Sequence, residues 1–539
     1  MVYRVAVVGA GPAGLTAVRW CLQENLVPTC FEKADAIGGL WHITDGDDDR
    51  TTVMSCTVAN ISKELTAMSD VPPPESLPVY LTGRRLLEYL QLYARQHDLE
   101  QYVQLNTEVI CIEEAADHAQ TGQWTVRTRR VKGKHDASAE HGYDDVEQTF
   151  DAVIVGSGVM AKPYIPEFPN LQNFQGRILH SKHYKSWAGF EGRRVLVVGA
   201  GNSAADVACD ISTVAEQVYL STRNGLWLGE RRAARGRPFD MILSRFTNAA
   251  MHYFPSLLNK VIAKQLNAKF DHELYGLCPK VAPFQSTTCL SDELSYKLMT
   301  GKVKIKKCIK CFTKTGVEFV DGDVIDTVDD VIFATGYKPD FPFLSDGILG
   351  EDKTQMFLTM FPLNRKYPTL VFPGCFRMKG PILVAIEMQN RYAAKILKGT
   401  LKLPSQGDMH NWVEANNEQS RKWRSATLVH ASQVDYVPFM DDIATRIGCK
   451  PRIGWLLLTD PRLALRCLFR ACTSYQFRLH GPDAWKGAKA AIMGQDDRTF
   501  SSFREGHNRD GGQQEPNRHW LRWLMVVGLL AAFVSKVLM

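Results

Sequence analysis

Phe174-Gln-Gly176-Arg-Ile-Leu-His180-Ser-Lys-His-Tyr184-Lys185 leads into Arg193-Arg-Val195-Leu-Val-Val198-Gly199-Ala-Gly201-Asn202-Ser203-Ala204-Ala205-Asp206. The second half is a dinucleotide fingerprint. Val195 to Val198 is an apolar run of the kind that makes a buried strand. Gly199 and Gly201 permit a tight turn and let the backbone approach a pyrophosphate. The helix opening near Ser203, with Asn202, Ala205 and Asp206 around it, aims free N–H groups at that phosphate. Ala204 stands in the third glycine position and is still small enough for close helix–strand packing.

A sister copy lies at the N-terminus. Val5 to Val8 runs into Gly9-Ala10-Gly11-Pro12-Ala13-Gly14, and a second strand, Thr29 to Phe31, ends at Glu32. An acid about twenty residues beyond the glycines accepts hydrogen bonds from a ribose 2′-OH and repels a phosphate, so the first site is expected to bind FAD. In the second copy the strand Gln217 to Ser221 ends in Thr222-Arg223. A guanidinium forks bidentately onto a 2′-phosphate, so the second site is expected to prefer NADPH. Two such sites let NADPH pass a hydride to flavin.

The formal net charge of +6 over 539 residues is mild, and no nucleic-acid-binding motif accompanies it. Thirteen cysteines, scattered and odd in number, argue against a disulfide framework and for a reducing compartment. Lys302 to Phe312 alternates like one strand and carries Cys308-Ile-Lys-Cys311. Residues three apart on a strand face opposite sides, so neither a disulfide nor a shared metal is expected there. Val103 to Ile112 and Trp124 to Val131 read as strands, and Arg84 to Leu99 as an amphipathic helix.

The spacing Phe174-x-Gly176-x-x-x-His180-x-x-x-Tyr184-Lys185 resembles the signature of flavin-dependent monooxygenases. Its Tyr-Lys ending is similar to the N- and S-oxygenating branch, where Trp-Pro would have resembled the Baeyer–Villiger branch. Asn60-Ile61-Ser62-Lys63-Glu64, continuing to Ser69-Asp70-Val-Pro72, resembles the active-site segment of the animal flavin-containing monooxygenases. Gly38-Gly39-Leu40-Trp41 is similar to the loop that lies against their flavin. Val331-Ile-Phe-Ala334-Thr335-Gly336-Tyr337 is similar to the linker by which they return from the NADPH domain to the FAD domain. The chain departs from the family at Ala59, which replaces a hydroxyl residue, at Val159-Met160 and at Phe376 to Gly380.

The resemblance implies an α/β fold of two Rossmann-like domains, the FAD domain interrupted by the NADPH domain, with a C-terminal membrane helix. It implies FAD and NADPH as cofactors and Asn60 as the catalytic residue. The implied chemistry is an NADPH- and O2-dependent C4a-hydroperoxyflavin that oxygenates a small-molecule amine or sulfide, foreign compounds included. Baeyer–Villiger oxidation of carbonyls and an uncoupled NADPH oxidase are the alternatives, and a homo-oligomer is left open.

The expected divisions are 1–158 for the first part of the FAD domain and 159–330 for the NADPH domain, with a membrane-associating insertion around 225–300. The second FAD part with C-terminal helices is 331–494, followed by a polar linker, 495–519, and an anchor, 520–539. Within the insertion Phe239, Ile242, Leu243 and Phe246 are expected to share one face. Trp523 to Val534 is apolar throughout, with Arg518, Trp520 and Arg522 as a cationic and aromatic collar. Val5 to Val8 runs straight into Gly9-Ala10-Gly11, so the N-terminus is expected to be the first strand of a fold and not a signal peptide. The catalytic part is expected on the cytosolic side of the endoplasmic reticulum membrane, in contact with lipid.

Overall fold

Each glycine fingerprint closes a strand at the centre of a parallel five-stranded sheet. The computed structural model describes residues 3–43, 50–131, 145–277, 279–285, 288–350, 355–363, 365–423 and 433–503. The expected anchor, and the linker from residue 504 onward, lie outside these residues; the described start of the expected linker is instead the helix Gln495–Phe500. Among the described residues no helix is long and apolar enough to cross a membrane.

The first sheet runs Leu370–Val371, Ala152–Val155, Arg4–Val8, Val27–Phe31, Val103–Gln104. Its strands are apolar on both faces, as a parallel sheet covered by helices requires. The helices Pro12–Gln23 and Ile382–Lys398 pack against each other beside it. The second sheet runs Arg177–His180, Asp330–Phe333, Arg194–Val198, Gln217–Ser221, Val303–Lys306, again all parallel. The strand Asp330–Phe333 sits between the signature strand and the fingerprint strand. The expected division at 330/331 therefore falls inside a strand of the second sheet, and the chain turns back only after Phe333.

The outgoing and returning crossings between the sheets pair with each other. Lys162 and Pro163 lie antiparallel to Lys338 and Tyr337. Tyr164 N donates to Gly336 O at 2.9 Å, and the Thr335 hydroxyl donates to Tyr164 O.

Three expected elements come out differently. Val103 to Ile112 is two strands, Val103–Gln104 in the parallel sheet and Thr107–Glu114 in an antiparallel one. Asn106 between them is left-handed at φ 51°, which an asparagine tolerates and a strand does not. Lys302 to Phe312 likewise divides into Val303–Lys306 and Ile309–Phe312, which join different sheets. Both Cys308 and Cys311 are free thiols.

In the insertion, Phe239–Ile242 is a separate short 3-10 turn, and a new helix, Arg245–Tyr253, begins after the Ser244 capping box. Phe239, Ile242, Leu243 and Phe246 therefore do not share a helical face. Leu243 packs on the main core, Ile242 is exposed, and Phe246 meets Phe469 at 5.1 Å between ring centres.

Candidate active site

Gly9 has φ +90°, which glycine adopts without strain, and its N–H donates to Phe31 O at 2.8 Å. Ala10 N donates to Glu32 Oε2 at 2.6 Å, and Ala34 N to Glu32 Oε1 at 2.8 Å. Glu32 thus does more than the sequence signalled. From the end of its strand it ties the glycine loop to the following loop, and each oxygen keeps a lone pair for a ribose hydroxyl.

Gly11 heads the helix Pro12–Gln23 with no side-chain cap, leaving the first-turn N–H groups open. Opposite it stands Gly39, whose added Cβ would come within 2.9 Å of Gly11 Cα. Gly39, Leu40 and Trp41 form a single 3-10 turn, with Trp41 partly buried against the core. Gly14 closes the packing behind: a Cβ there would lie 1.7 Å from Gly9 O. Ala13 is buried beside it, and Pro12 takes the first helical position. Gly156, at the end of a neighbouring strand, also leaves little room: a Cβ there would lie 3.0 Å from Gly14 N.

Asn60 lies not in a turn but in the strand Val58–Ser62. That strand pairs with Tyr80–Thr82 through Val58↔Thr82 and Ser62↔Tyr80. Four steps on one strand meet two on the other, so Ala59, Asn60 and Ile61 bulge from the hairpin. The Asn60 Oδ1 is buried and has no hydrogen-bond partner among the described residues. Buried polar atoms are nearly always paired, so this oxygen marks a place for a ligand donor. Downstream the segment is anchored. Ser69 bonds Glu387 through its N–H and its hydroxyl, both at 2.8 Å. Burial alone would raise the Asp70 carboxyl, but His97, Arg478 and Arg19 hold it down at about 2.

The second site repeats the first with differences. A Cβ on Gly199 would meet Ala334 O at 2.5 Å, so only glycine lets the fingerprint strand approach the returning chain. Gly201 heads the helix Asn202–Ile211 with no side-chain cap and with open space around it. Ser203 is exposed at that helix start, whereas Ala204 and Ala205 are buried in its packing.

Asn202 has a job that spacing does not reveal: its Oδ1 accepts Leu290 N at 2.8 Å, tying the helix to the insertion. Burial pushes the Asp206 carboxyl up to about 6, against the pull of the Arg231 guanidinium. Thr222 is buried and donates its N–H to Lys306 O at 3.0 Å. Arg223 stands exposed at the strand end.

The signature residues join these parts. The His180 ring meets Gly336 O at 3.0 Å, and burial lowers its pKa. The Tyr184 hydroxyl donates to Asp210 at 2.6 Å on the second helix, while Lys185 Nζ donates to Thr52 Oγ1 at 2.7 Å, upstream of Asn60. Thr335 and Gly336 make their bonds to the crossings described above, within reach of neither fingerprint helix by any of these contacts.

A profile of the family described as Flavin-binding monooxygenase-like matches residues 2–538. The chain belongs to this family. It is 39% identical to the rat N-oxide-forming dimethylaniline monooxygenase 2 over 544 residues, covering 100% of this chain and 99% of the relative. It is 38% identical to human flavin-containing monooxygenase 3, covering 98% of each chain. Among solved structures, the S-allyl-L-cysteine S-oxygenase of Allium sativum superposes with a TM-score of 0.63 at 20% identity, over 93% of this chain and 99% of that one. The closed form of cyclohexanone monooxygenase superposes with a TM-score of 0.60 at 17% identity, over 83% of this chain and 97% of that one. These likenesses show a shared fold.

As a flavin-containing monooxygenase the chain is an enzyme, and its cofactors are FAD and NADPH. The residues suit both. Two uncapped helix starts offer N–H groups to pyrophosphates, and an unpaired carboxamide oxygen awaits a donor.

Proposed function

We propose that this flavin-containing monooxygenase transfers one oxygen atom of O2 to a soft nucleophilic nitrogen or sulfur of a small molecule. NADPH supplies a hydride, two electrons and a proton together, and with one further proton the other oxygen leaves as water. When bound, the flavin supplies hydride acceptance and oxygen activation. Gly9, Ala10, Gly11, Pro12, Ala13, Gly14 and Glu32 hold FAD, with Gly39, Leu40, Trp41, Asn60 and Ile61 toward its ring. Gly199, Gly201, Asn202, Ser203, Ala204, Ala205 and Asp206 hold the NADPH pyrophosphate, and Thr222 and Arg223 read its 2′-phosphate. Thr335 and Gly336 set the crossing between the two.

The observation that carries this reading is the buried, unpartnered Asn60 Oδ1 on a pinned bulge. A carboxamide can orient cofactor atoms without acid–base chemistry, and a soft nucleophile needs no enzyme base. The N-oxide-forming name of the rat relative supports nitrogen as one acceptor.

The test is the purified enzyme with NADPH, O2 and, separately, a sulfide, a tertiary amine and a ketone. Sulfoxide and N-oxide are expected, with NADPH preferred over NADH and Arg223→Ala erasing most of that preference. Losing hydrogen bonds to a charged phosphate costs about 1.5–3 kcal/mol, roughly ten- to a hundredfold in selectivity. Ester from the ketone alone would make the enzyme a Baeyer–Villiger oxidant. Peroxide as the sole oxygen product would make it an oxidase. Equal loss with both coenzymes in Arg223→Ala would remove that residue from the site.

We infer further that the enzyme sits on the endoplasmic reticulum membrane, catalytic part toward the cytosol, anchored by 520–539. Two supports stand behind this: the apolar tail itself, and side chains that a water-facing surface would not favour. Leu257 on the helix Pro255–Lys269 is 55% exposed, and Trp455 and Leu458 on the helix Ile453–Thr459 are 57% and 85% exposed. The helices Arg245–Tyr253 and Pro461–Phe469, which follow or precede these in the chain, meet through Phe246 and Phe469. Deleting 520–539 is expected to release most of the enzyme from membranes at unchanged FAD content. Full retention in the membrane pellet would transfer the anchoring role to the exposed apolar side chains.

A further inference from the structure

The bulge that presents Asn60 leaves backbone groups that the partner strand does not satisfy. Such groups need partners when buried, and here the partners come from the insertion. The Arg231 guanidinium donates to Val58 O at 3.3 Å on one side of Asn60. On the other side Ser62 N donates to Asp240 Oδ2 at 2.6 Å. The opposing strand is drawn into the same arrangement: the Tyr80 hydroxyl donates to Arg231 O at 2.6 Å and accepts Phe239 N at 3.3 Å. The two residues that flank Asn60 by two positions are thus both gripped by one short stretch, 231–240.

We propose that Asp240, assisted by Arg231, is a positioning residue of this enzyme: it fixes the Asn60 carboxamide, and through it the insertion sets how fully oxygen activation is coupled to substrate. The proposal rests on the reading of Asn60 as facing the flavin.

Asp240 is an expensive choice for a mere peg. It is 3% exposed, and its Oδ1 has no hydrogen-bond partner among the described residues. Burial pushes its carboxyl up to about 6, with the Ser62 contacts opposing that rise. An amide or hydroxyl would fill the place at less desolvation cost. What a carboxylate adds is a short, charge-assisted bond to one backbone N–H, which fixes direction as well as distance. Arg231 is similarly committed, since its guanidinium also pairs with Asp292 at 3.1 Å.

The test uses the full-length FAD-loaded enzyme and four variants: Asp240→Leu, Asp240→Asn, Arg231→Met and Asn60→Leu. Two readouts are taken on each. One is hydrogen exchange of the backbone amides of 58–62, the other the share of consumed NADPH that appears as peroxide.

In Asp240→Leu the Ser62 amide is expected to exchange about tenfold faster or more, as loss of a bond to a charged group implies. The peroxide share is expected to rise several-fold, with FAD content unchanged. Asp240→Asn keeps an acceptor oxygen for Ser62 without its charge and is expected to bring both readouts part of the way back to wild type. Should Asp240→Leu fail to fold, Arg231→Met, which frees the Val58 end, is expected to move both readouts the same way.

Faster exchange with unchanged coupling would overturn the proposal, as would an Asp240→Asn enzyme no closer to wild type than Asp240→Leu. Uncoupling in Asn60→Leu but in neither insertion variant would also overturn it, leaving the reading of Asn60 intact. Unchanged coupling in Asn60→Leu itself would instead remove that reading.

Discussion

Gly11→Ala is expected to strip the enzyme of FAD while leaving the fold intact. Gly11 has φ −73° and ψ −173°, extended backbone that any residue adopts. An added Cβ would find Gly39 Cα at 3.5 Å, an ordinary contact. The protein by itself therefore gives no reason for a glycine at this position. The reason lies in the ligand: with no cap on the helix, the phosphate must come up to the backbone N–H groups, and a methyl stands in its way.

A loss of affinity of about a hundredfold, near 2.7 kcal/mol, is expected by flavin titration of the apoenzyme. The thermal midpoint of the apo form should not move. Gly14→Ala provides the contrast. Its Cβ would lie 1.7 Å from a backbone oxygen, where no rotamer can relieve the overlap. That variant is expected to lose apo stability as well as flavin. Wild-type FAD affinity in Gly11→Ala would take the phosphate away from this helix.

Asn60→Leu is expected to keep FAD and reduction by NADPH while losing oxygenated product to peroxide. The glycine loops and Glu32, proposed above to hold the cofactor, are elsewhere in the chain and are untouched. Leucine is close in size, and with no protein partner on Oδ1 the replacement orphans nothing on that atom. The effect should therefore appear in chemistry rather than in stability. Removing one preorganised polar group at an oxyanion-type site costs about 10²–10³ in rate. An effect near the lower limit is expected, since the rest of the site is unchanged. Product and peroxide measured against NADPH consumed decide the matter. Unchanged coupling would make Asn60 an ornament of the bulge.

Both fingerprints and the strands that lead into them could be read from the chain because glycine at a strand end is a steric demand, visible in one residue at a time. The Gly9–Gly14 run and Glu32 are of this kind. What could not be read depends on partners far away in sequence. Asp240 reaches Ser62 across 178 positions, and Asn202 reaches Leu290 across 88; neither pairing has a local signature. The Asn60 bulge is a mismatch of register between two strands, so neither strand carries it alone. Lys302 to Phe312 alternates like one strand, yet two different sheets claim its halves. Local propensity is silent on which neighbour wins.

The paired crossings at Lys162–Pro163 and Tyr337–Lys338 also bear on how the outer sheet is assembled. Leu370–Val371 must find Ala152–Val155 across the whole intervening chain. Held as an open loop, that chain would have to be closed at an entropic cost growing with the logarithm of its length. Once the nested part has folded and its two ends lie side by side, the outer strands are separated by a short tether instead. The logarithmic law puts the difference at about 1.5 kcal/mol, in favour of building the inner sheet first.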